Sequence, residues 1–381
     1  MDVLKLLTAL LLSRVLAALG EGLGLASLTI YILSGYVLNH TSLKLLSEFD
    51  ELLLDLSLIT LFFYVGLNVD LRISRPVLRE SLIISSSGVL TTLALVTSMV
   101  YLGGADLITS IVVGLALSNT ATEVIFLALK PSELGIESVR KVIIASSFFD
   151  DLLMIGFISV LGAVSLGASE LTYLSVRQVV FAVSVFSLGL LLTKVLSRRL
   201  MTRRFITNVA VLLLFSVTVA GYLAGVDLAF SAYFAGVALG MLRFVKDPML
   251  VNIVRLNDLI QYFGEVLDIF LIPIFFLYIG SNLDLTLILN PQFFYIFTAA
   301  WVGKFLGCSL IHVVRGDLRM GLLYGVAMNA RGGLESVAAM VAFKYGLITP
   351  SLYSAVVVTA VTSSIVVPLL IAVILKRLTT Y

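Results

Sequence analysis

Two adjacent acidic residues, Asp150 and Asp151, stand in an otherwise apolar stretch that reads ASSFFDDLLMIG. They follow the basic pair Arg140 and Lys141 by nine to ten residues, which is about 15 Å of helix and half the thickness of a bilayer's hydrocarbon core. An ionisable group at that depth costs at least about 2.5–3.5 kcal/mol, so such residues usually mark ion or proton pathways. Neighbours on a helix point about 100° apart. One carboxylate can therefore face an ion pathway while the other meets a cation.

The expected cation is Lys304, in the apolar stretch AAWVGKFLG. It lies about 11 residues from the basic residue Arg315, which also places it near the bilayer midplane and too deep to reach either interface. A buried lysine loses its charge readily and a buried aspartate gains a proton readily. The sequence therefore predicts a pair between Asp150 and Lys304 that handles protons and is switched by a competing ion.

Two further stretches, 118–123 and 329–335, place residues that interrupt helices within apolar segments. The first reads SNTATE and the second NARGGLE. Hydroxyls, amides and paired glycines suit a broken helix whose freed carbonyls and half-helix ends line a cavity and coordinate a cation. Asn119 and Thr120 are the candidate cation-binding residues of these stretches.

The same stretches contain three charged residues whose roles the sequence leaves open. Arg331 and Glu335 are spaced i, i+4 and can pair. A structural role, in which they neutralise half-helix dipoles or brace a helix crossing, is at least as well supported as a role in transport. Glu123 is expected to line the inner funnel.

The elements that position these residues follow from composition. The 381-residue chain is 60% hydrophobic and 13% charged, with a net charge of +2 and one cysteine. A soluble globular protein is about 45–50% apolar and about 25% charged. The composition excludes a soluble enzyme, a disordered chain, a disulfide-rich scaffold and a DNA-binding domain. We therefore expect an all-α polytopic membrane protein in a lipid bilayer, with no nucleic-acid partner.

Apolar segments and the positive-inside rule give the expected topology. About 18 of the 25 Lys and Arg residues fall on one side of the predicted membrane, which places the N-terminus outside and the C-terminus inside. The chain is treated as one integral membrane domain, residues 1–381. The thirteen expected spans are 3–19, 25–38, 52–71, 81–103, 106–129, 139–166, 178–197, 206–225, 231–242, 262–284, 291–314, 320–346 and 351–375.

A short motif occurs twice, as LFFYVGLNVDL at 61–71 and as FFLYIGSNLDL at 275–285. Six of the eleven positions are identical at a constant offset of 214 residues. The copies end spans three and ten, an odd number of spans apart, so they cross the membrane in opposite directions. The sequence thus predicts an inverted-topology repeat, which is typical of secondary transporters. The spacing Gly236-x-x-x-Gly240 is interpreted as ordinary helix packing.

The chain resembles the monovalent cation:proton antiporter superfamily in its sodium/proton exchanger-like branch. The resemblance covers essentially the whole chain and is carried by these motifs together with ALSNTATE, FFDDLLMIG, VGKFLG and MNARGGLES. It implies that two interrupted helices cross in a mobile core and that Asp151 binds the cation and the proton alternately. Asp150 would pair with Lys304, giving Na⁺ at the two aspartates and two protons exchanged per sodium ion.

The resemblance also implies a division of the chain and an assembly. The ion-translocating core would span 81–166 and 291–375, the dimerisation scaffold 1–71 and 206–284, and a linker helix 178–197. We expect a homodimer in the cell membrane that needs no cofactor and carries Na⁺ or Li⁺ against H⁺ by alternating access. Many relatives carry Pro-Arg-Gly-Glu where this chain has Ala330 to Gly333, which leaves the role of Glu335 open.

Two other functions are considered. A K⁺/H⁺ antiporter has the same mechanism, and the sequence does not settle the size of the cation. An intramembrane aspartyl protease needs two aspartates on separate helices, whereas the tandem pair here lies on one helix and no Gly-x-Gly-Asp occurs. We therefore expect a transporter rather than an enzyme.

Overall fold

The computed structural model describes residues 3–22, 25–40, 51–69, 74–129, 137–164, 168–196, 202–244, 251–286 and 291–379. This part of the chain is α-helical and contains no β-strand, which confirms the predicted fold class. Its helices are α1 Val3–Glu21, α2 Ser27–His40, α3 Glu51–Asn68, α4 Arg75–Leu102, α5 Leu107–Ala116, α6 Thr122–Ala128, α7 Glu137–Val164, α8 Ala168–Leu196, α9 Arg203–Leu223, α10 Leu228–Gly240, α11 Val251–Ile269, α12 Leu271–Ser281, α13 Pro291–Val314, α14 Leu318–Ala327, α15 Gly333–Lys344 and α16 Pro350–Thr379.

Each predicted span coincides with one helix or with a pair of consecutive helices. Within the described residues, seven helices are long and apolar enough to cross a membrane alone, or eight if α11 and α12, bent by 42°, form one span. The predicted spans 106–129 and 320–346 are both interrupted, the first into α5 and α6 and the second into α14 and α15. The two breaks fall where the sequence predicts them. The orientation of the termini stays a prediction.

Aspartate side chains begin several of the short helices. Asp106 accepts a hydrogen bond from the Thr109 amide at 3.0 Å at the start of α5, and Asp317 accepts one from the Met320 amide at 3.0 Å at the start of α14. Such caps satisfy amide groups that have no partner inside the helix. The helices α5 and α14, which lead into the site described below, therefore each begin at a capped residue.

The chain divides into two compact units. Unit 1 comprises residue 1, 48–72 and 158–275, and unit 2 comprises 2–47, 73–157 and 276–381. The predicted core, 81–166 and 291–375, falls mostly in unit 2. The assignment of a moving core, a linker helix and a dimerisation scaffold concerns motion and assembly, so it stays a prediction.

Unit 1 is built around a close contact between α3 and α10. A side chain at Gly66 would collide with the Tyr233 carbonyl, and one at Gly236 would collide with the Phe63 carbonyl. This confirms that the Gly236 spacing serves helix packing. Around the contact, Phe63 and Leu67 pack with buried aliphatic residues of α8, α9, α10 and α11.

The second copy of the repeated motif makes an equivalent contact inside unit 2. Gly280 of α12 lies against the Ile32 carbonyl of α2, and Gly35 of α2 lies against the Leu277 carbonyl of α12. The glycine shared by both copies therefore permits close helix packing in both. The aspartate of the first copy, Asp70, lies outside the described residues.

Helices α4 and α13 form the centre of unit 2. Ser87 Oγ donates to the Gly307 carbonyl and Thr91 Oγ1 to the Gly303 carbonyl, each at 2.7 Å. Numbers rise along α4 as they fall along α13, so the two helices are antiparallel. They correspond to predicted spans four and eleven, which the inverted repeat requires to run in opposite directions. Cys308 packs in this contact against Gly88.

Candidate functional site

The two helix breaks contact each other inside unit 2. The Ala121 amide, at the end of the first break, donates to the Ala330 carbonyl in the second break at 2.9 Å. Thr120 Oγ1 also lies 2.9 Å from the Met328 carbonyl. The structure thus brings together the two interrupted stretches, which are about 210 residues apart in sequence.

Arg331 connects the second break to the end of α5. Its guanidinium is fully buried and donates to the Leu117 carbonyl through Nε at 3.2 Å and Nη2 at 2.9 Å. Nη2 also lies 2.9 Å from the Ala300 carbonyl, and Nη1 lies 3.3 Å from Asn329 Oδ1. Because the C-terminal end of a helix carries partial negative charge, a cation at Leu117 stabilises the end of α5.

Glu335 makes the complementary contact at the start of α15. Its Oε2 accepts a hydrogen bond from the Gly332 amide at 3.0 Å, and the side chain is fully buried. A carboxylate at a helix N-terminus meets partial positive charge. Arg331 and Glu335 therefore lie at half-helix ends of opposite polarity.

Asp150 on α7 is 1% exposed and is surrounded by three donors from three other elements. Lys304 Nζ lies 2.6 Å from Oδ2, Thr120 Oγ1 lies 2.7 Å from the same oxygen, and Ser85 Oγ lies 2.6 Å from Oδ1. Lys304 is fully buried and also donates to the Ser118 carbonyl in the first break. Hydrogen bonds to an ionised carboxylate stabilise its charged form. The structure therefore contains the Asp150–Lys304 pair predicted from sequence.

Asp151, the next residue on α7, has different surroundings. Asn119 Nδ2 lies 3.1 Å from its Oδ1, and Thr122 Oγ1 lies 3.0 Å from its Oδ2. Thr122 Oγ1 also lies 3.0 Å from Ser147 Oγ. Asp151 is 8% exposed, more than Asp150. The two carboxylates therefore point to different neighbours, as expected from their angular separation on a helix.

Asn119 adds an acceptor to this side of the site. Its Oδ1 is buried and has no hydrogen-bond partner among the described residues. Leaving a buried polar oxygen without a partner costs about 1–3 kcal/mol. Asn119 therefore contacts Asp151 through its amide nitrogen and carries a buried acceptor on the same amide group.

Several site residues were missed by the sequence reasoning. Ser147 lies four residues before Asp151 on the same helix face, so helical spacing could have identified it. Thr122 lies within the SNTATE stretch that was singled out. Ser85 comes from another helix, and nothing in its own sequence context distinguishes it. Glu123 lies in α6, but its side chain is outside the described residues.

A buried carboxylate pair, a buried lysine and two crossed helix breaks in an apolar helical protein define a class: polytopic membrane transporters with an ion site at discontinuous helices. The chain matches the family "Sodium/hydrogen exchanger, transmembrane" over residues 7–377 and belongs to that family. Members of this family are transporters, not enzymes. The protein is therefore a multi-span membrane antiporter of monovalent cations and protons.

Individual relatives show the same similarity. The high-affinity Na⁺/H⁺ antiporter NhaS3 of Synechocystis sp. is 24% identical over 346 residues, which cover 84% of this chain and 70% of that protein. The Na⁺/H⁺ antiporter NhaS4 of the same organism is 27% identical over 147 residues, covering 37% of this chain and 33% of that protein.

A solved structure has the same fold. The sodium proton antiporter MjNhaP1 from Methanocaldococcus jannaschii at pH 8 superimposes with a TM-score of 0.66 and 16% identity. The match covers 96% of this chain and 94% of that one. At this identity the similarity shows the fold, and the chemistry of the site has to be argued from the residues of this chain.

Proposed function

We propose that this antiporter exchanges one Na⁺ for two protons by alternating access, with Asp151 as the site that Na⁺ and a proton occupy in turn. The observation that carries the proposal is the difference between the two adjacent carboxylates. Asp150 is in contact with a buried ammonium, whereas the side-chain contacts described for Asp151 come from the neutral groups of Asn119 and Thr122. The second of these settings suits exchange of a bound cation.

The proposed Na⁺ ligands are oxygens of the two aspartates and of the residues that contact Asp151. They are the Asp150 and Asp151 carboxylates, the hydroxyls of Thr122 and Ser147, and the buried Oδ1 of Asn119. Carboxylate, hydroxyl and carbonyl oxygens are the ligands that hard cations prefer. A proton on Asp151 removes its negative charge, so Na⁺ and the proton compete for the same group.

Lys304 supplies the second proton in this proposal. A cation at the aspartates competes with the ammonium for Asp150, and a buried lysine that loses its anionic partner favours its neutral form. Lys304 then releases a proton, and the pair forms again when the cation leaves. Thr120, whose hydroxyl contacts Asp150 Oδ2, stands near the ion in this proposal.

The stoichiometry makes each cycle move one net charge. A potential of 100 mV is worth about 2.3 kcal/mol per charge. At about 1.4 kcal/mol per decade, that potential sustains a sodium gradient of roughly fiftyfold without any pH difference.

The proposed site is tested by Asp151→Asn in proteoliposomes that contain a pH-sensitive dye, with Na⁺, Li⁺ and K⁺ added separately. We expect wild-type protein to respond to Na⁺ and Li⁺, and Asp151→Asn to lose exchange while it still purifies as a single species. Asp258→Asn, at an exposed carboxylate in unit 1, is the control. Near-normal exchange by Asp151→Asn would contradict the assignment, and a response to K⁺ alone would identify a K⁺/H⁺ antiporter.

The role of Lys304 is tested by Lys304→Gln, which keeps a hydrogen-bond donor but removes the proton site. Current on a solid-supported membrane is compared with proton flux reported by the dye. We expect surviving exchange to be electroneutral, or transport to stop. An undiminished current per proton would show that Lys304 is only a structural partner of Asp150.

We further propose that the protein acts as a homodimer in the cell membrane and needs no cofactor beyond the ions it carries. The lipid-facing composition of the helices and the family membership support a membrane location. Native mass measurement in lipid tests the dimer, and a monomer as the sole species would contradict it. Exchange by purified protein in liposomes without additives tests the absence of a cofactor.

A further inference from the structure

Ser85 on α4 makes one of the three side-chain contacts described for the Asp150 carboxylate. Its Oγ lies 2.6 Å from Asp150 Oδ1, and only 1% of the residue is exposed. The other two contacts, from Lys304 and Thr120, are both on Oδ2. An ionised carboxylate carries no hydrogen, so the Ser85 hydroxyl is the donor of this bond. Within the described residues, Ser85 therefore serves the oxygen that the lysine does not contact.

Thr120 is a less constant donor to Asp150 than Ser85 is. Its Oγ1 lies 2.7 Å from Asp150 Oδ2 and 2.9 Å from the Met328 carbonyl. A hydroxyl has one hydrogen, so Thr120 donates to one of these two acceptors at a time. The acceptor described for the Ser85 hydroxyl is the carboxylate. When the ammonium of Lys304 leaves Asp150, Ser85 is therefore the donor that stays committed to the carboxylate.

The proton of Lys304 has two destinations when a cation displaces the ammonium from Asp150. It can leave the protein, which leaves a carboxylate and a neutral amine and supplies the second proton of the cycle. It can instead move from Nζ to the carboxylate, which leaves a neutral acid and a neutral amine and releases nothing. Both routes remove the buried ammonium, whose charge is costly away from water. The affinity of Asp150 for a proton decides between the two routes.

The groups that set this affinity come from four elements. The charged and titratable ones are Asp151 on α7, Lys304 and Cys308 on α13, and Arg331 in the second break. Helix α4 contributes the neutral hydroxyl of Ser85. A hydrogen bond is stronger to a charged carboxylate than to the neutral acid, so a donor lowers the affinity of that carboxylate for a proton. Once the lysine has lost its charge, the Ser85 bond remains to favour the ionised form of Asp150.

We propose that Ser85 is a positioning residue that keeps Asp150 ionised when Lys304 loses its proton, so that this proton leaves the protein instead of passing to the carboxylate. Ser85 thereby determines that two protons, and not one, are exchanged per Na⁺. This inference rests on the proposed function, in which Lys304 supplies the second proton. Loss of a hydrogen bond to a charged group raises the proton affinity of that group about 10- to 150-fold. In Ser85→Ala, Asp150 should therefore keep a proton up to a pH about 1–2 units higher than in wild type.

The charge moved per proton distinguishes the two destinations. Current on a solid-supported membrane and proton flux reported by a dye are measured with the same protein across a pH series. Wild type should keep a constant ratio of charge to protons. At the acidic end of the series, Ser85→Ala should approach one proton per Na⁺, which moves no net charge. Its ratio should return to the wild-type value about 1–2 pH units higher.

Ser81→Ala is the matched control. Ser81 lies one turn before Ser85 on α4, is fully buried, and donates to the Val142 carbonyl of α7 at 3.1 Å. The control removes a buried hydroxyl from the same pair of helices without removing a donor to a carboxylate, so its charge per proton should stay at the wild-type value. Ser85→Thr keeps the hydroxyl and should also keep that value. Weaker helix packing lowers the Tm or the rate in either alanine variant but leaves the charge per proton unchanged.

The proton affinity of Asp150 is also measured without transport. Infrared spectroscopy detects the C=O band of a protonated carboxyl group, and comparison with Asp150→Asn identifies the band of Asp150. The Lys304→Gln protein lacks the ammonium and so represents the state in which the lysine has lost its charge. Adding Ser85→Ala to it should make the band persist to a pH about 1–2 units higher. A band that disappears at the same pH in both proteins would overturn the proposal.

The remaining outcomes separate this proposal from the proposed function. A wild-type ratio of charge to protons in Ser85→Ala at every pH would overturn the role of Ser85, and so would an equal fall in Ser81→Ala. If Ser85→Ala does not fold, Ser85→Cys decides the question, because a thiol is a weak donor and should give the same change at a smaller size. Wild-type protein that moves no net charge would instead refute the proposed stoichiometry, and the infrared comparison would still decide whether Ser85 keeps Asp150 ionised.

Discussion

The buried pair of Asp150 and Lys304 predicts a strong and non-additive effect on stability. Both side chains are fully buried, and their charged atoms are 2.6 Å apart. Removal of one partner of a buried ion pair costs about 3–5 kcal/mol, since the other charge stays buried without compensation. Lys304→Met leaves a buried Asp150 carboxylate and a Ser118 carbonyl without its donor. Asp150→Asn leaves a buried ammonium with that carbonyl.

The double variant should be much less damaging than either single variant. With both charges removed, the amide that Asp150→Asn introduces can accept from Ser85 through its oxygen and donate to the Thr120 hydroxyl through its nitrogen, while Thr120 donates to the Met328 carbonyl. The remaining cost is about 1–2 kcal/mol. The expected coupling energy, which is the sum of the two single costs minus the cost of the double variant, is therefore at least about 4 kcal/mol, above the usual range for residues in contact. At about 2.1 cal/mol/K per residue, each kcal/mol corresponds to roughly 1 °C in Tm for a chain of this length.

The assay is thermal unfolding of the purified protein in detergent. We expect each single variant to lower the Tm by about 4–6 °C and the double variant by about 1–3 °C. Lys344→Met is the matched control, because Lys344 is exposed and lies 5.9 Å from the ring of Tyr278, a contact worth about 0.5–1 kcal/mol. Additive effects of the two single variants would show that the charges do not depend on each other and would refute the argument.

Three further outcomes follow from the described contacts. Asp106→Ala removes the carboxylate that accepts hydrogen bonds from the Thr109 amide and hydroxyl at the start of α5. The free energy of unfolding should fall by about 0.5–2 kcal/mol, and an unchanged unfolding midpoint would count against this. Gly236→Leu should prevent normal packing of unit 1, because the new side chain collides with the Phe63 carbonyl. The measurement is loss of monodisperse protein in size-exclusion chromatography. Gly156→Leu is the control, because a side chain at Gly156 meets open space. Burial raises the pKa of Asp227, the cap of α10, so its folded form loses stability as the pH rises from the ordinary aspartate pKa toward the raised one. Asp227→Asn keeps the cap without the charge, and its Tm should therefore fall less than that of wild type between pH 4 and pH 8; parallel pH profiles would contradict this.

The sequence was sufficient to predict the helical membrane class and the residues with unusual chemistry. Long apolar segments indicate membrane-spanning helices, because every backbone group in the bilayer must form its hydrogen bond within its own helix. A charged residue in such a segment is also informative, because the free-energy cost of placing it in the bilayer means that it usually has a function or an ionic partner. Asp150, Asp151 and Lys304 were found in this way.

The breaks in two spans were also predictable, because glycine, hydroxyl and amide residues weaken helices locally. The sequence did not distinguish a transport role for Arg331 and Glu335 from a structural one. Their contacts with the Leu117 carbonyl and the Gly332 amide depend on how two segments about 210 residues apart meet. No local pattern encodes that meeting.

Tertiary structure alone decided which residues surround each carboxylate. Ser85 reaches Asp150 from α4 because small residues allow α4 and α13 to pack closely, and the geometry of that packing determines which hydroxyl faces α7. The cluster of Glu80, His312 and Arg315 likewise joins positions that no sequence pattern singles out. Hydropathy and charge act along the chain and can be read locally, whereas hydrogen-bond partners and cavities depend on distances across the fold, which the order of residues does not display.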